Sequence, residues 1–185
     1  MFAVVSESDD DESFWEMYMP DLEIRLASVA DAGTINAIYN HYVRTSAATF
    51  DTEEVTAEGR LAWLEQHVGP HPAIVAVWDG AVVGWGSLSR WGTRCAYQHT
   101  VEISTYIAPD ATGRGIGPAL CRDLLERARE IGHHALISQI VHENEASLKM
   151  ADRLGYERVG TLRQVGRKFG RWLDVVLMEY VIDPA

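Results

Sequence analysis

The stretch Val101-Glu102-Ile103-Ser104-Thr105-Tyr106-Ile107-Ala108-Pro109, followed by Gly113-Arg114-Gly115-Ile116-Gly117 and an apolar run to Ile131, reads as strand, tight loop and helix. Alternation puts Val101, Ile103, Thr105 and Ile107 on one side of the strand and Glu102, Ser104 and Tyr106 on the other. Pro109 ends the strand because it brings no backbone donor. Glycines at alternate positions let the chain turn sharply and leave its N–H groups uncovered by side chains. Ile116, Leu120, Leu124, Ala128 and Ile131 then recur at helical spacing. The first amides of that helix have no intrahelical partner and lie at the positive end of its dipole. A glycine-lined helix start directly after a strand is a receptor for phosphate.

The rest of the chain supplies strands and helices around this unit. Glu23 to Leu26 reads as a first strand, and Ser28 with Asp31 three residues on as a helix start. Ile35, Ile38, Tyr39 and Tyr42 give that helix an apolar stripe. Ser46 to Thr52 is a loop or short extended piece holding Phe50. A second helix is expected from Thr56, carrying Leu61, Leu64 and Val68 and stopped by Gly69-Pro70-His71-Pro72. Ala73 to Trp78 and Ala81 to Leu88 read as a hairpin around Asp79-Gly80, a pair favoured in two-residue turns. Trp91 to His99 reads as a loop. Ala135 to Val141 is an apolar strand, and Asn144 to Leu154 a short helix closed by Gly155. Tyr156 to Leu162 and Trp172 to Val181 are the last strands, joined by a basic connection with Arg163, Arg167, Lys168 and Arg171. The order predicts an α/β fold with a mixed sheet flanked by helices.

The 185 residues suit one domain plus a tail, and a hydrophobic content of 47% with 6 Trp is ample for a core. The formal charge of −11 argues against nucleic acid as the main partner. An anionic ligand would have to be captured by local groups. Residues 1–19 hold Glu7, Asp9, Asp10, Asp11, Glu12 and Glu16 and no Lys or Arg, so they read as an acidic, disordered extension to a single domain at 20–185. Cys95 and Cys121 have no metal-ligand spacing, and no metal is expected. No apolar run reaches about 18 residues, so no membrane span is expected. No basic region precedes an apolar one at the start, and a cytoplasmic protein is expected.

Two well-known phosphate loops do not fit. A Walker loop needs Lys and Ser or Thr after the last glycine, where Pro118 and Ala119 stand. A dinucleotide fingerprint needs a glycine at Pro118. The remaining choices are a plain glycine-rich connection or a loop that resembles the pyrophosphate loop of the GNAT superfamily of N-acetyltransferases, Arg/Gln-x-x-Gly-x-Gly/Ala. Gly115 and Gly117 match that pattern, and Thr112 departs from its leading position. Asn144-x-x-Ser147 followed by Leu154-Gly155-Tyr156 resembles a second block of the same superfamily. More narrowly, the chain is similar to phosphinothricin and methionine sulfone or sulfoximine acetyltransferases. The similarity lies in Ile38-Tyr39-Asn40-His41-Tyr42, Thr45 to Phe50, Thr100-Val101-Glu102 with Ser104 and Tyr106, and the run Gln164 to Asp174. It extends over about residues 22 to 182.

The resemblance implies a GNAT fold, acetyl-CoA as cosubstrate, a small-molecule amine as acceptor, and a homodimer. The amine arrives as an ammonium ion, so a base must take a proton. Glu102 is the candidate, being an acid in the middle of a β-branched strand, where burial raises a carboxyl pKa. A salt-bridged structural Glu is the alternative. By resemblance, the backbone N–H of Ile107 faces the developing oxyanion, and Thr105, Tyr106 and Ile107 pair with pantetheine. Thr112, Gly113, Arg114, Gly115, Ile116 and Gly117 form the pyrophosphate loop, and Asn144 and Ser147 flank the pantetheine arm. The superfamily usually carries Tyr or His where Ala151 stands. Ala151 offers no side-chain acid for the leaving thiol, and His142 is the nearby substitute. Phe50, Tyr97, Gln98 and Lys168 are the candidate substrate wall, with Lys168 reaching across a dimer interface. The expected activity is N-acetylation of the α-amine of a small amino-acid analogue. The alternatives are another amine (polyamine, aminoglycoside or peptide N-terminus) or a CoA-binding sensor without turnover.

Overall fold

The computed structural model describes residues 21–182. The expectation for the acidic extension falls outside them. Seven strands form one sheet in the order β1-β2-β3-β4-β5-β7-β6. The strands are β1 (Leu22–Leu26), β2 (Ala73–Trp78), β3 (Ala81–Arg90), β4 (Thr100–Ile107), β5 (Ala135–Val141), β6 (Glu157–Lys168) and β7 (Arg171–Val181). Helices α1 (Ala32–Thr45) and α2 (Ala57–Gln66) follow β1, α3 (Ile116–Ile131) links β4 to β5, and α4 (Glu145–Arg153) follows β5.

Every neighbouring pair is antiparallel except β4 and β5. The predicted hairpin forms, with both Asp79 and Gly80 at positive φ as a right-twisting two-residue turn needs. Alternation along the strands splits the core in two. Ile74, Leu88, Val101, Ile103, Leu136, Val176 and Met178 meet Leu120 and Leu124 of α3. On the other face Val75 and Trp85 meet Ile35, Ile38 and Leu64 of α1 and α2. Glu102 lies on this second face, in register with Ser89 of β3. The chain enters α1 through a polar clasp. Asp31 accepts from the backbone N–H and hydroxyl of Ser28 and takes both arms of the Arg25 guanidinium at 2.8 Å.

Two expectations are corrected. The second helix stops at Gln66, leaving Val68 and Leu61 exposed, and its buried residues are Arg60 and Leu64. Three aromatic rings lie within stacking range of the Arg60 guanidinium, so a cation takes an inward position that periodicity assigns to an aliphatic side chain. The basic connection near the end is also not a loop. β6 continues through Arg163 and Arg167 to Lys168, turns at Phe169-Gly170 and returns at Arg171. Its register shifts between Leu162 and Gly166, where Gln164 takes positive φ and donates its N–H to Asp174 Oδ1 at 2.8 Å. Charged side chains are tolerated there because the hairpin forms the edge of the sheet. The segment from Trp91 to His99 contains one helical turn, Cys95–Tyr97.

Candidate active site

The site begins where two parallel strands part. β4 and β5 pair only from Thr100–Ala135 to Glu102–Ile137, although β4 runs on to Ile107 and β5 to Val141. Beyond Glu102 the β5-facing edge of β4 has no strand partner, while its other edge stays bonded to β3 through Gly84–Ile107. The gap is a crevice of about 90 Å³ bordered by Ser104–Tyr106, Ser138–Val141, Cys121 of α3, and Asn144, Ser147 and Ala151 of α4. The buried Tyr156 hydroxyl also borders it and has no hydrogen-bond partner. Burial pushes the Cys121 thiol up to about 11, so it stays neutral against Thr105. The Tyr42 hydroxyl donates to the Ile107 carbonyl at 2.7 Å and fixes the end of the unpaired edge.

Next to the crevice, against Met150 of its lining, the glycine loop enters α3. Gly113 and Gly115 take φ of 75° and 83°, and Gly115 is the N-cap of the helix. Pro118 has no N–H to offer, so the free donors of the first turn are concentrated at Gly117 and before. A Cβ at Gly117 would stand 3.2 Å from Met150 Sδ, so glycine keeps the loop and α4 close together. Thr112 donates its hydroxyl to the Pro109 carbonyl at 3.1 Å, closing the turn before the glycine loop. Arg114 is held against the loop by Asp110 O at 3.1 Å and by the Trp78 ring. Asn144 caps α4, its Oδ1 accepting from Ser147 N–H at 3.2 Å. An open strand edge, a helix start free of side chains and an unpaired buried hydroxyl together fit a long acyl-CoA thioester.

Glu102 stands at the root of the parting, half-buried. Burial pushes its carboxyl above the ordinary range, partly offset by Gln139, whose amide donates to Oε1 at 3.1 Å. Ser89, its register partner, bonds His67 Nε2 at 2.9 Å, and the other ring nitrogen of His67 is held by Trp63 O at 2.7 Å. His67 was not singled out by sequence, and no local pattern marks it.

The four candidate wall residues divide into two groups. Phe50 packs against Gly166 so closely that a Cβ there would fall 2.1 Å from its ring. Lys168 is only 5% exposed and donates to Thr49 O at 2.7 Å, within the chain. Phe50 and Lys168 thus tie the α1–α2 connection to the β6–β7 hairpin. Tyr97 and Gln98 lie on the exposed turn before β4. None of the four lines the crevice or the second cavity described next. His142 is exposed and outside the lining of the crevice.

A cavity of about 300 Å³ opens on the Glu102 face, among Tyr39, Arg60, Trp63, Trp85, Ser87 and Ser104. Sequence analysis placed none of these in the site. Tyr39 read as core stripe, and Arg60 and Trp63 are polar and apolar positions of an ordinary helix in any linear pattern.

Comparison with known proteins supports the same chemistry. The profile of the acetyltransferase (GNAT) family matches residues 35–156. An L-methionine sulfoximine/L-methionine sulfone acetyltransferase of Salmonella typhimurium is 37% identical over 88% of this chain and 95% of its own length. A phosphinothricin N-acetyltransferase of Streptomyces coelicolor is 37% identical over 86% of this chain and 95% of its own. The solved structure of a Salmonella typhimurium acetyltransferase with its cofactor acetyl-CoA superposes with a TM-score of 0.86 at 36% identity, spanning 89% of this chain and 96% of that one.

Proposed function

Because this chain belongs to the acetyltransferase (GNAT) family and is an acetyl-CoA-dependent N-acetyltransferase, we propose that it acetylates the α-amine of a small amino-acid analogue of the methionine sulfone, methionine sulfoximine or phosphinothricin type, with Glu102 as general base. The observation that carries this reading is the position of Glu102, half-buried at the point where β4 and β5 separate. The relatives named above act on such analogues and align over most of the chain.

Acetyl-CoA supplies the thioester carbonyl that the amine attacks. The unpaired edge at Thr105, Tyr106 and Ile107 takes the pantetheine as an added strand would be taken. Gly113, Arg114, Gly115, Ile116 and Gly117 offer amides to the pyrophosphate, Thr112 closes the loop behind them, and Asn144 and Ser147 border the arm. The Ile107 N–H donates to the carbonyl oxygen as charge develops on it. Glu102 takes the ammonium proton, and burial, by raising its pKa, makes it a better proton acceptor than an ordinary carboxylate. Ala151 offers no proton to the leaving sulfur, but a thiol of pKa about 8.5 departs adequately as thiolate. The acceptor side is the cavity on the Glu102 face, and Phe50 and Lys168 brace the α1–α2 connection that brings Asp51 to it.

The protein acts as a homodimer in this reading. Val159, Leu162, Val165, Phe169 and Trp172 leave an apolar surface exposed on the β6–β7 hairpin at the edge of the sheet, where a second copy would cover it. Release of free thiol from acetyl-CoA, measured over a panel of amines, tests the activity. Turnover of the amino-acid analogues and not of polyamines or aminoglycosides is expected. CoA binding without thiol release on any amine would instead favour a sensor.

A further inference from the structure

We propose that the Arg60–Trp85 cavity seats the far end of the amine substrate's side chain, and that this end carries acceptor oxygens on tetrahedral sulfur or phosphorus. The inference rests on the amino-acid reading above and names the residues that would choose among amino acids.

The cavity is rich in donors that nothing in the fold satisfies. Trp85 Nε1 is buried and has no hydrogen-bond partner. An indole N–H can only donate, so its partner must be an acceptor. Arg60 is 3% exposed and forms no ion pair among the described residues. Its guanidinium makes one long bond, Nε to Asn36 Oδ1 at 3.4 Å, and otherwise stacks on Tyr39, Trp63 and Trp85 at 4.7–5.4 Å. A buried cation and a buried N–H without acceptors are each costly unless a ligand completes them. The one acid in the lining, Asp51, already accepts from the Tyr39 hydroxyl at 2.7 Å. The Ser87 and Ser104 hydroxyls add two further donors, and the rings supply apolar walls for methylene or methyl groups.

Position fits as well as chemistry. Ser89, in the lining, is the cross-strand partner of Glu102, and Ser104 is two residues along on the same face. Those spacings are about 5 and 7 Å. An α-amino acid with its nitrogen at Glu102 therefore reaches the cavity with three or four side-chain atoms. A sulfone, sulfoximine or phosphinate group ends such a side chain with bare acceptor oxygens, whereas a thioether presents none of comparable strength.

The test is steady-state kinetics with acetyl-CoA on L-methionine sulfone, phosphinothricin and L-methionine. Trp85→Phe keeps the ring and deletes the donor, and the kcat/KM ratio of sulfone to methionine should fall about tenfold, the value of one good hydrogen bond. Ser87→Ala, a smaller change that carries the test should the tryptophan variant fail to fold, should lower the same ratio severalfold. Arg60→Gln separates the two oxygen chemistries, lowering turnover of the anionic phosphinate more than that of the neutral sulfone. An unchanged sulfone-to-methionine ratio in either of the first two variants, when folded, overturns the assignment while leaving the amino-acid activity intact. If the wild-type protein turns over none of the three, the amino-acid reading fails and the cavity's ligand fails with it.

Discussion

The burial that makes the Glu102 carboxyl a stronger base also works against the fold. Its pKa is raised in the native state, so the folded protein holds that proton more firmly than the unfolded chain does. Stability is therefore lost as pH rises through the interval between the unfolded and folded values, and the penalty is complete above it. Glu102→Gln should lower kcat by about a hundredfold or more, the usual worth of a general base, while leaving CoA affinity nearly unchanged. The same variant should raise the thermal midpoint at pH 7, which a melting curve alongside the kinetics would show. Gln139 pulls in the other direction, since its amide stabilises the charged form. Gln139→Leu should move the acidic limb of the kcat/KM profile to higher pH. Asp31 has the opposite sign. Arg25 and Ser28 hold its carboxyl well below the usual range, so its contribution is present above the unfolded pKa and fades as pH falls through the native one. Asp31→Asn should destabilise the protein by about 2 kcal/mol at pH 7 and by progressively less below pH ~4, as urea titrations at several pH values would record.

At the scale of elements, the parts legible in sequence were those with a strong period or an obligatory turn residue. β4, the glycine loop and α3 fall where alternation, Pro109 and the spacing of Ile116, Leu120 and Leu124 place them. The β2–β3 hairpin follows from Asp79-Gly80. Hidden from sequence were the elements whose buried faces are not aliphatic. α2 turns Arg60 inward, and no hydrophobic pattern can anticipate a cation stacked on three rings. The long β6–β7 hairpin was read as two strands and a loop because its tips are basic, although an edge hairpin bears charge without loss. The candidate base and the candidate phosphate loop stand out in sequence because each needs a residue type that is out of place otherwise, an acid in a strand and glycines at a helix start. The cavity on the Glu102 face draws its lining from α1, α2, β3 and β4, elements far apart in the chain, and no local pattern ties Trp85, Ser87 and Ser89 of β3 to Arg60 and Trp63 of α2. Among these elements the loop before α3 is sensitive to a single methyl group through its backbone conformation. Gly115 caps the helix at φ 83°, a conformation that costs an L-residue about 1–2 kcal/mol. Gly115→Ala should raise the KM for acetyl-CoA roughly tenfold with little change in the amine KM, read from two-substrate kinetics.

Considered as a whole, the described residues leave an apolar surface exposed on the β6–β7 hairpin at one edge of the sheet. Leu162→Asp on the β6–β7 hairpin should leave the fold intact, since Leu162 is 41% exposed, and shift the protein to a monomer in light scattering. A wild-type monomer would overturn the dimer proposal. The parting of β4 from β5 has a broader consequence. With only the pairs from Thr100–Ala135 to Glu102–Ile137 stitching them, the two halves of the sheet share a seam that is zipped at one end. In the proposed reading, cofactor lying along that seam would act as mortar between the two halves at its open end. Deuterium uptake at the Ser104–Ile107 amides and along the β5 edge should slow when CoA is added, and at a hundredfold excess over Kd the gain should approach ~2.7 kcal/mol.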